Sequence, residues 1–225
     1  MRSRDQIEEM SAYYDRHAPW HDECMGYSCN TKMEVLLGPM IALFEEYVRD
    51  KDVLEIACGT GNWTQVLARR ARSVTATDVN DSVLAIARGK PLTDKRVTFR
   101  VADAYTLDGV DGLFDVAFAA DWWSHIPKAM ILPFLEVLHR RLRDDARVVF
   151  LDMMPCDVFE SEEVCYDDDG NRISTRTVPD GSQFRVVRNF PDEQELRSVL
   201  DQVARRIEYL EHLPLRRWLL TYTKR

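Results

Sequence analysis

The sequence predicts an α/β fold built on one mostly parallel sheet, and three observations predict it. From residue 52 onward, apolar runs of strand length alternate with amphipathic runs of helix length, the pattern of strands joined by crossover helices. The first apolar run leads directly into Cys58-Gly59-Thr60-Gly61-Asn62, a turn of small residues at a helix start. Acidic residues then recur where successive strands should end, at Glu55, Asp78 and Asp103. A chain of 225 residues with 45% hydrophobic content lies near the upper end of what one core supports, so a single domain is expected.

Strands are expected over 52–57, 73–78, 96–101, 114–119 and 146–153, with helices over 62–70, 81–89 and about 128–143. Pro133 should kink the last helix or mark its true start. Residues 1–50 are mostly helical in character, end in a helical stretch over 33–48 and suit a lid over the ligand edge of the sheet. The core then occupies 51–153 and an insertion 154–191. Within the insertion, 155–171 is acidic and loop-like, and 172–190 has the composition of a β-hairpin around Pro179-Asp180-Gly181. The remainder, 192–225, reads as a helix over 192–203 and strands over 206–212 and 217–223.

Composition excludes several classes of function. The net charge is −8 and the charged 30% mixes both signs without a block of Lys or Arg, so nucleic acid is not an expected partner. Five cysteines without a CxxC pair fit neither a disulfide framework nor a zinc module. No apolar run approaches a membrane span and residues 1–10 lack an apolar leader core; a cytoplasmic protein with reduced thiols is expected.

The chemistry concentrates at the first turn, where a strand, a tight turn and a helix N-terminus present free N–H groups to a ligand. Gly59 and Gly61 alone are a weak signal; Glu55 sharpens it. A pyrophosphate lying over this turn would be repelled by a carboxylate at the strand end, whereas a ligand with a sulfonium and an ammonium would be attracted. Thr64 also replaces the third glycine of the dinucleotide fingerprint. Asp78, followed by Val79, is placed to accept from two ribose hydroxyls or to cap the helix starting near Asp81. Asp103 beside Ala104 is either an acceptor for an adenine amino group or a solvated loop carboxylate.

In this order, the Val53–Gly61 strand and turn, Ala76-Thr77-Asp78, Ala102-Asp103-Ala104 and Phe114-Asp115-Val116-Ala117-Phe118 resemble the motif series of class I S-adenosylmethionine-dependent methyltransferases over roughly residues 53–153. The resemblance implies a Rossmann-like, seven-stranded, mostly parallel sheet whose last strand is antiparallel, with S-adenosyl-L-methionine as cofactor and no metal. Ala57 departs from the family, which usually has its first glycine there; only a small change in backbone approach is expected. By position, Trp63 is expected to line the methionine side; after the fourth strand, Asp121 is open to contact with the cofactor's ammonium or with a polar substrate group, and Trp122, in the cofactor-binding set, is either wall or core.

Three segments, the Gly59–Thr64 turn, Ala120–Pro127 and Arg176–Phe190, resemble small-molecule O-methyltransferases more narrowly, particularly those acting on phosphonate oxygens. This narrower resemblance implies that Arg176 and Arg188 grip an anionic acceptor. It also implies that the N-terminal helices form a lid in which Tyr14 and Trp20 close over the methionine end and Tyr27 contacts the substrate. The residues support part of this independently, since strand alternation puts Arg188 on the face of Phe184, Val186 and Phe190, where an arginine needs an internal carboxylate or a ligand. His125, on the catalytic edge, is open to three roles: general base, donor to an anion, or packed histidine.

The resulting expectation is methyl transfer to a small, anionic molecule, on oxygen, by a monomer or homodimer. Two alternatives are a nicotinamide-dependent oxidoreductase, which Glu55 opposes, and a cofactor-binding protein of the same fold with an interaction role.

Overall fold

The computed structural model describes residues 3–25, 30–92, 96–155 and 163–225, with backbone alone for 30–37. Tyr27, Cys29 and Cys156 lie outside the described residues. Helices α1 (Ser3–His17), α2 (His21–Cys24) and α3 (Asn30–Val48) precede an alternating series: β1 (Asp52–Glu55), α4 (Asn62–Leu67), β2 (Ser73–Asp78), α5 (Asp81–Gly89), β3 (Val97–Val101), β4 (Phe114–Ala120), α6 (Ile131–Arg140) and β5 (Leu142–Met153). An inserted unit follows, β6 (Val164–Tyr166), β7 (Arg172–Thr177) and β8 (Gln183–Val187), and the chain ends in α7 (Glu193–Leu200), β9 (Ala204–His212) and β10 (Arg217–Lys224).

The seven-stranded sheet has the order β3-β2-β1-β4-β5-β10-β9. β1 to β5 pair in parallel, and β10 runs antiparallel to both β5 and β9. Strand order reverses between β1 and β4, so their carboxyl ends open the crevice where α/β sheets bind ligands. Helices cover both faces. Val53 and Leu54 point to opposite sides of β1, yet both are fully buried, one against Phe44, Trp63 and Phe118 and the other against Phe134, Phe150 and Tyr222.

Three sequence expectations shift. β1 ends at Glu55 rather than at residue 57, because Ala57 adopts φ +51° and turns the chain out of the sheet. α6 stops at Arg140 and β5 starts at Leu142, inside the expected helix; a register shift between Phe114 and Val116, with Asp145 at φ +60°, absorbs the charged stretch that reads as helical. Pro133 sits in the first turn of α6 and so marks its start. The expected hairpin is present as β7 and β8, and a third strand extends it: β6 adds to β7 through pairs such as Cys165 with Ile173, and three residues carry too little periodicity to stand out in an acidic stretch.

Helix α1 is held from two sides. Met10 and Tyr13 of α1 pack on Val178 and Val186 of the inserted unit, while Ser11 exchanges hydrogen bonds of 2.9 and 3.0 Å with Asn80 beyond β2. No helix among the described residues is long and apolar enough to cross a membrane.

The two turn glycines make different demands. Both have positive φ, but a Cβ at Gly61 would lie 2.9 Å from the Ala87 Cβ of α5, whereas one at Gly59 meets nothing within 4 Å. Gly61→Ala should therefore lower the unfolding free energy by about 2 to 4 kcal/mol, from a left-handed backbone plus overpacking, and Gly59→Ala by about 1 to 2 kcal/mol from the backbone alone. Denaturant titration of both variants checks this, and equal losses would contradict it.

Candidate active site

A cavity of about 1110 Å³ opens at the carboxyl ends of the strands, bounded by the first turn, α1, the loop after β4 and the inserted sheet. Its floor is Glu55 at the end of β1. The carboxyl group is buried, accepts a 2.6 Å hydrogen bond from the Thr64 hydroxyl and has its pKa pushed up to about 8 by burial, with the Asp78 charge adding to the rise. A cation placed beside it would restore ionisation. Thr64, at the fingerprint's third-glycine position, thus acts as a donor that orients this carboxyl.

Asp78 ends β2 and receives the Gly59 N–H on Oδ2 at 2.9 Å and the Asn80 N–H on Oδ1 at 3.0 Å. Asn80, not Asp78, is the N-cap residue of α5. The capping alternative therefore falls away. Val79, Asp103 and Ala104 line the same wall; Asp103 is exposed, and Oδ1 accepts from the Tyr105 N–H at 2.8 Å. Ala57, Gly59, Trp63 and Trp122 also border the cavity, although Trp63 is largely committed to an aromatic cluster with Phe44 and Phe118. The Trp122 Nε1 and Tyr105 Oη atoms are buried and have no hydrogen-bond partner among the described residues.

The opposite wall is cationic. Register pairs Arg176 with Phe184 and Ser174 with Val186, and the Arg188 N–H donates to the Arg172 carbonyl, so Arg176 and Arg188 share one face of the inserted sheet and both reach the cavity. Arg188 is buried; burial and then the Arg176 charge push its pKa down. Its guanidinium also lies 3.1 Å from the Met153 sulfur. Arg185 points away and is exposed.

His125 is buried with both ring nitrogens engaged: Nδ1 is 2.7 Å from the Val187 carbonyl oxygen and Nε2 is 2.7 Å from the Tyr14 hydroxyl. Burial, then Arg188 and Arg176, push its pKa well below the ordinary histidine value. These contacts leave no ring nitrogen for a substrate, so of the three roles open to His125 the packed histidine fits. Tyr14, expected at the methionine end, instead brings its hydroxyl to the arginine side. Trp20 does not line the cavity: α1 ends at His17, a short turn begins at Ala18 with Pro19, and Tyr14, His17 and His21, at helical spacing, take the inner side.

Several contributors carried no sequence signal. Arg217, at the start of β10, forms a salt bridge with Asp121, which lines the cavity after β4. Asp22 of the lid receives Thr60, Asn62 and Lys90, fastening α2 to the first turn; burial alone would raise its pKa, but these bonds and His21 hold it well below the usual carboxylate range. Asn189 stitches the inserted sheet to the loop of His125 by donating its N–H to the Ser124 carbonyl at 2.7 Å and a side-chain N–H to that of Ile126 at 3.2 Å. Each partner lies far away in sequence, which hides the pair from periodicity and motif alike.

Comparison with known proteins agrees with this geometry. Residues 53–145 match the family described as "Methyltransferase domain". Over 87 residues the chain is 34% identical to the ubiquinone biosynthesis O-methyltransferase of Azotobacter vinelandii, covering 37% of this chain and 38% of that protein. Over 130 residues it is 26% identical to the malonyl-[acyl-carrier protein] O-methyltransferase of Pectobacterium atrosepticum, covering 56% and 48%. The match thus spans less than half of either relative. Solved structures of a DhpI–SAH complex and a DhpI-SAM-HEP complex superpose with TM-scores of 0.78, at 27% and 26% identity, covering 97% and 98% of both chains. The cavity suits such a cofactor, since a buried carboxyl stands beside Gly59 and a strand-end aspartate; Gly61, expected in the same set, does not line the cavity but starts α4 against Ala87. The chain thus has the fold of the class I S-adenosylmethionine-dependent methyltransferases, carries a methyltransferase domain over residues 53–145 and takes S-adenosylmethionine as cofactor.

Proposed function

We propose that the protein transfers the methyl group of S-adenosylmethionine to an oxygen of a small anionic acceptor held by Arg176 and Arg188. The observation that carries this reading is the placement of both guanidinium groups on one face of the inserted sheet, in the same cavity as Glu55 and Asp78. Two neighbouring cations in a partly buried site disfavour each other, and an anion relieves that cost. The O-methyltransferase names of the relatives agree with oxygen as the acceptor atom.

The cofactor supplies a methyl group already activated for displacement. What remains for the chain is alignment and exclusion of water. Arg176 and Arg188 orient the acceptor anion, Glu55 and Asp78 fix the other partner, and α1 closes the cavity from above. An anionic oxygen needs no base, which agrees with a neutral, fully engaged His125.

Three outcomes test the reading. Near pH 7 the Glu55 carboxyl, pushed up to about 8, holds its proton, and a neighbouring cation lowers that pKa. Cofactor binding should then release protons, seen as binding heats that vary with buffer ionisation enthalpy, and Glu55→Gln should abolish the variation. Buffer-independent heats in the unsubstituted protein would count against the cation at Glu55.

Asp78→Ala should weaken S-adenosylhomocysteine binding by about 2 to 4 kcal/mol, the loss of charge-assisted hydrogen bonds. Unchanged affinity would remove Asp78 from the cradle.

Arg188→Met keeps much of the stem and deletes the fork. Acceptor turnover should fall at least about tenfold while cofactor affinity stays nearly constant, since a lost charge-assisted contact weakens only the group it touched. A screen of small acids, phenols and amines, with S-adenosylhomocysteine release as readout, finds the acceptor; a neutral or cationic best acceptor would overturn the anionic assignment.

A further inference from the structure

We propose that Tyr14 and His125 give the acceptor corner a fixed hydrogen-bond polarity, selecting an anion that retains an O–H donor beside its anionic oxygens. The inference rests on the anionic acceptor proposed above and narrows its chemical class.

The polarity begins at the backbone. A carbonyl oxygen only accepts, so the 2.7 Å contact between the Val187 oxygen and His125 Nδ1 requires the hydrogen on Nδ1. Burial and the two nearby guanidinium groups keep the imidazole neutral. Nε2 is then a bare lone pair, and the Tyr14 hydroxyl 2.7 Å away must donate to it. The phenol keeps its proton, because burial pushes its pKa up to about 12 even with Arg176 and Arg188 pulling the other way.

A hydroxyl has one hydrogen, and His125 takes it. Toward the cavity the Tyr14 oxygen therefore offers lone pairs alone. Arg176 and Arg188, close enough to act on its charge, only donate. An anion entering this corner meets donors at the arginines and an acceptor at Tyr14. A bare oxygen against Tyr14 is repelled, while an O–H completes the set. Because Val187 fixes the tautomer, the tyrosine cannot turn its hydrogen outward without leaving Nε2 buried and unpaired. The required O–H can belong to the acid group itself or to an alcohol next to it. Both supply the same chemistry, a donor beside an anion.

The test uses the full chain saturated with S-adenosylhomocysteine and titrated calorimetrically with three monoanions of similar size. Methyl ethylphosphonate has no O–H, ethylphosphonate at a pH that retains its second proton has one on the acid, and methyl 2-hydroxyethylphosphonate has one on the chain. At least one donor-bearing anion should bind about tenfold more tightly than the donor-free ester, the worth of one hydrogen bond. The bearer that does so identifies the source of the O–H. Tyr14→Phe, which keeps the ring and deletes the oxygen, should bring that ratio close to one. Nitrogen-15 spectra of histidine-labelled protein should show a protonated Nδ1 and a bare Nε2 at His125, and this measurement needs no variant. Equal binding of all three anions, a ratio that survives Tyr14→Phe, or a protonated Nε2 would overturn the selection while leaving the anionic acceptor intact. If none of the three bound and Arg188→Met left acceptor turnover unchanged, the anionic acceptor and the selection would fall together.

Discussion

The rest of the site depends on α1 being held from two directions at once. Its buried face, with Gln6, Met10 and Tyr13 at helical spacing, packs Met10 and Tyr13 on the inserted sheet, and Ser11 is tied to Asn80 just beyond β2. Apolar packing is non-directional and would tolerate sliding; the paired hydrogen bonds at Ser11 fix the register. With the register fixed, Tyr14, His17 and His21 face inward, and one helix becomes a wall shared by the cradle and the arginine corner. Asp22 extends the same logic, tying the next helix to Thr60 and Asn62 of the turn itself. Residues of α1 and α2 therefore border both ends of the cavity.

Charge divides that cavity. Glu55 and Asp78 stand at one end, each pushed toward protonation by burial, and Arg176 and Arg188 at the other, where burial and mutual repulsion push Arg188 the opposite way. Either end alone is a cost to the folded chain, the usual mark of a place where a ligand of opposite charge completes the balance. A chain of net charge −8 repels a distant anion, so local cations are what make an anionic acceptor admissible. The Asp121–Arg217 ion pair also lines the cavity.

Local pattern made the core legible. Alternating runs marked β1 to β5, and Glu55, Gly59 and Asp78 reach the cavity through local geometry that a strand, a turn and a helix start specify together. What stayed hidden is tertiary. Tyr14 and His125 are separated by 111 positions, and nothing around either residue points to the other. The same holds for Asp121 with Arg217, 96 positions apart. The short turn at Ala18-Pro19-Trp20 takes Trp20 off the inner side that the resemblance implied for it, and an edge strand of three residues such as β6 has almost no period. Whether Arg176 shares the face of Arg188 depended on the register of β7 against β8, which loop length leaves open and the pairing of Ser174 with Val186 fixes.

Arg217 illustrates why topology as well as residue type decides what reaches a site. Parallel strands deliver only their carboxyl ends to the ligand edge, so β1, β2 and β4 contribute residues from their last positions or just beyond. An antiparallel strand delivers its first residue instead. Arg217 opens β10 and pairs with Met153 at the end of β5, which carries a cation from near the C-terminus to the cavity. Asp121 meets it by taking a left-handed conformation, φ +54°, directly after β4, a geometry that costs a non-glycine residue about 1 kcal/mol and that aspartate tolerates better than most. Ala57 bears a similar strain at φ +51° where β1 ends. Both residues line the cavity, so the backbone is strained where two neighbouring parallel strands must turn away from the sheet to leave room for a ligand. The reversal of β10 turns one of those strained positions into an anchor, because the ion pair with Arg217 holds Asp121 in the conformation that the turn requires.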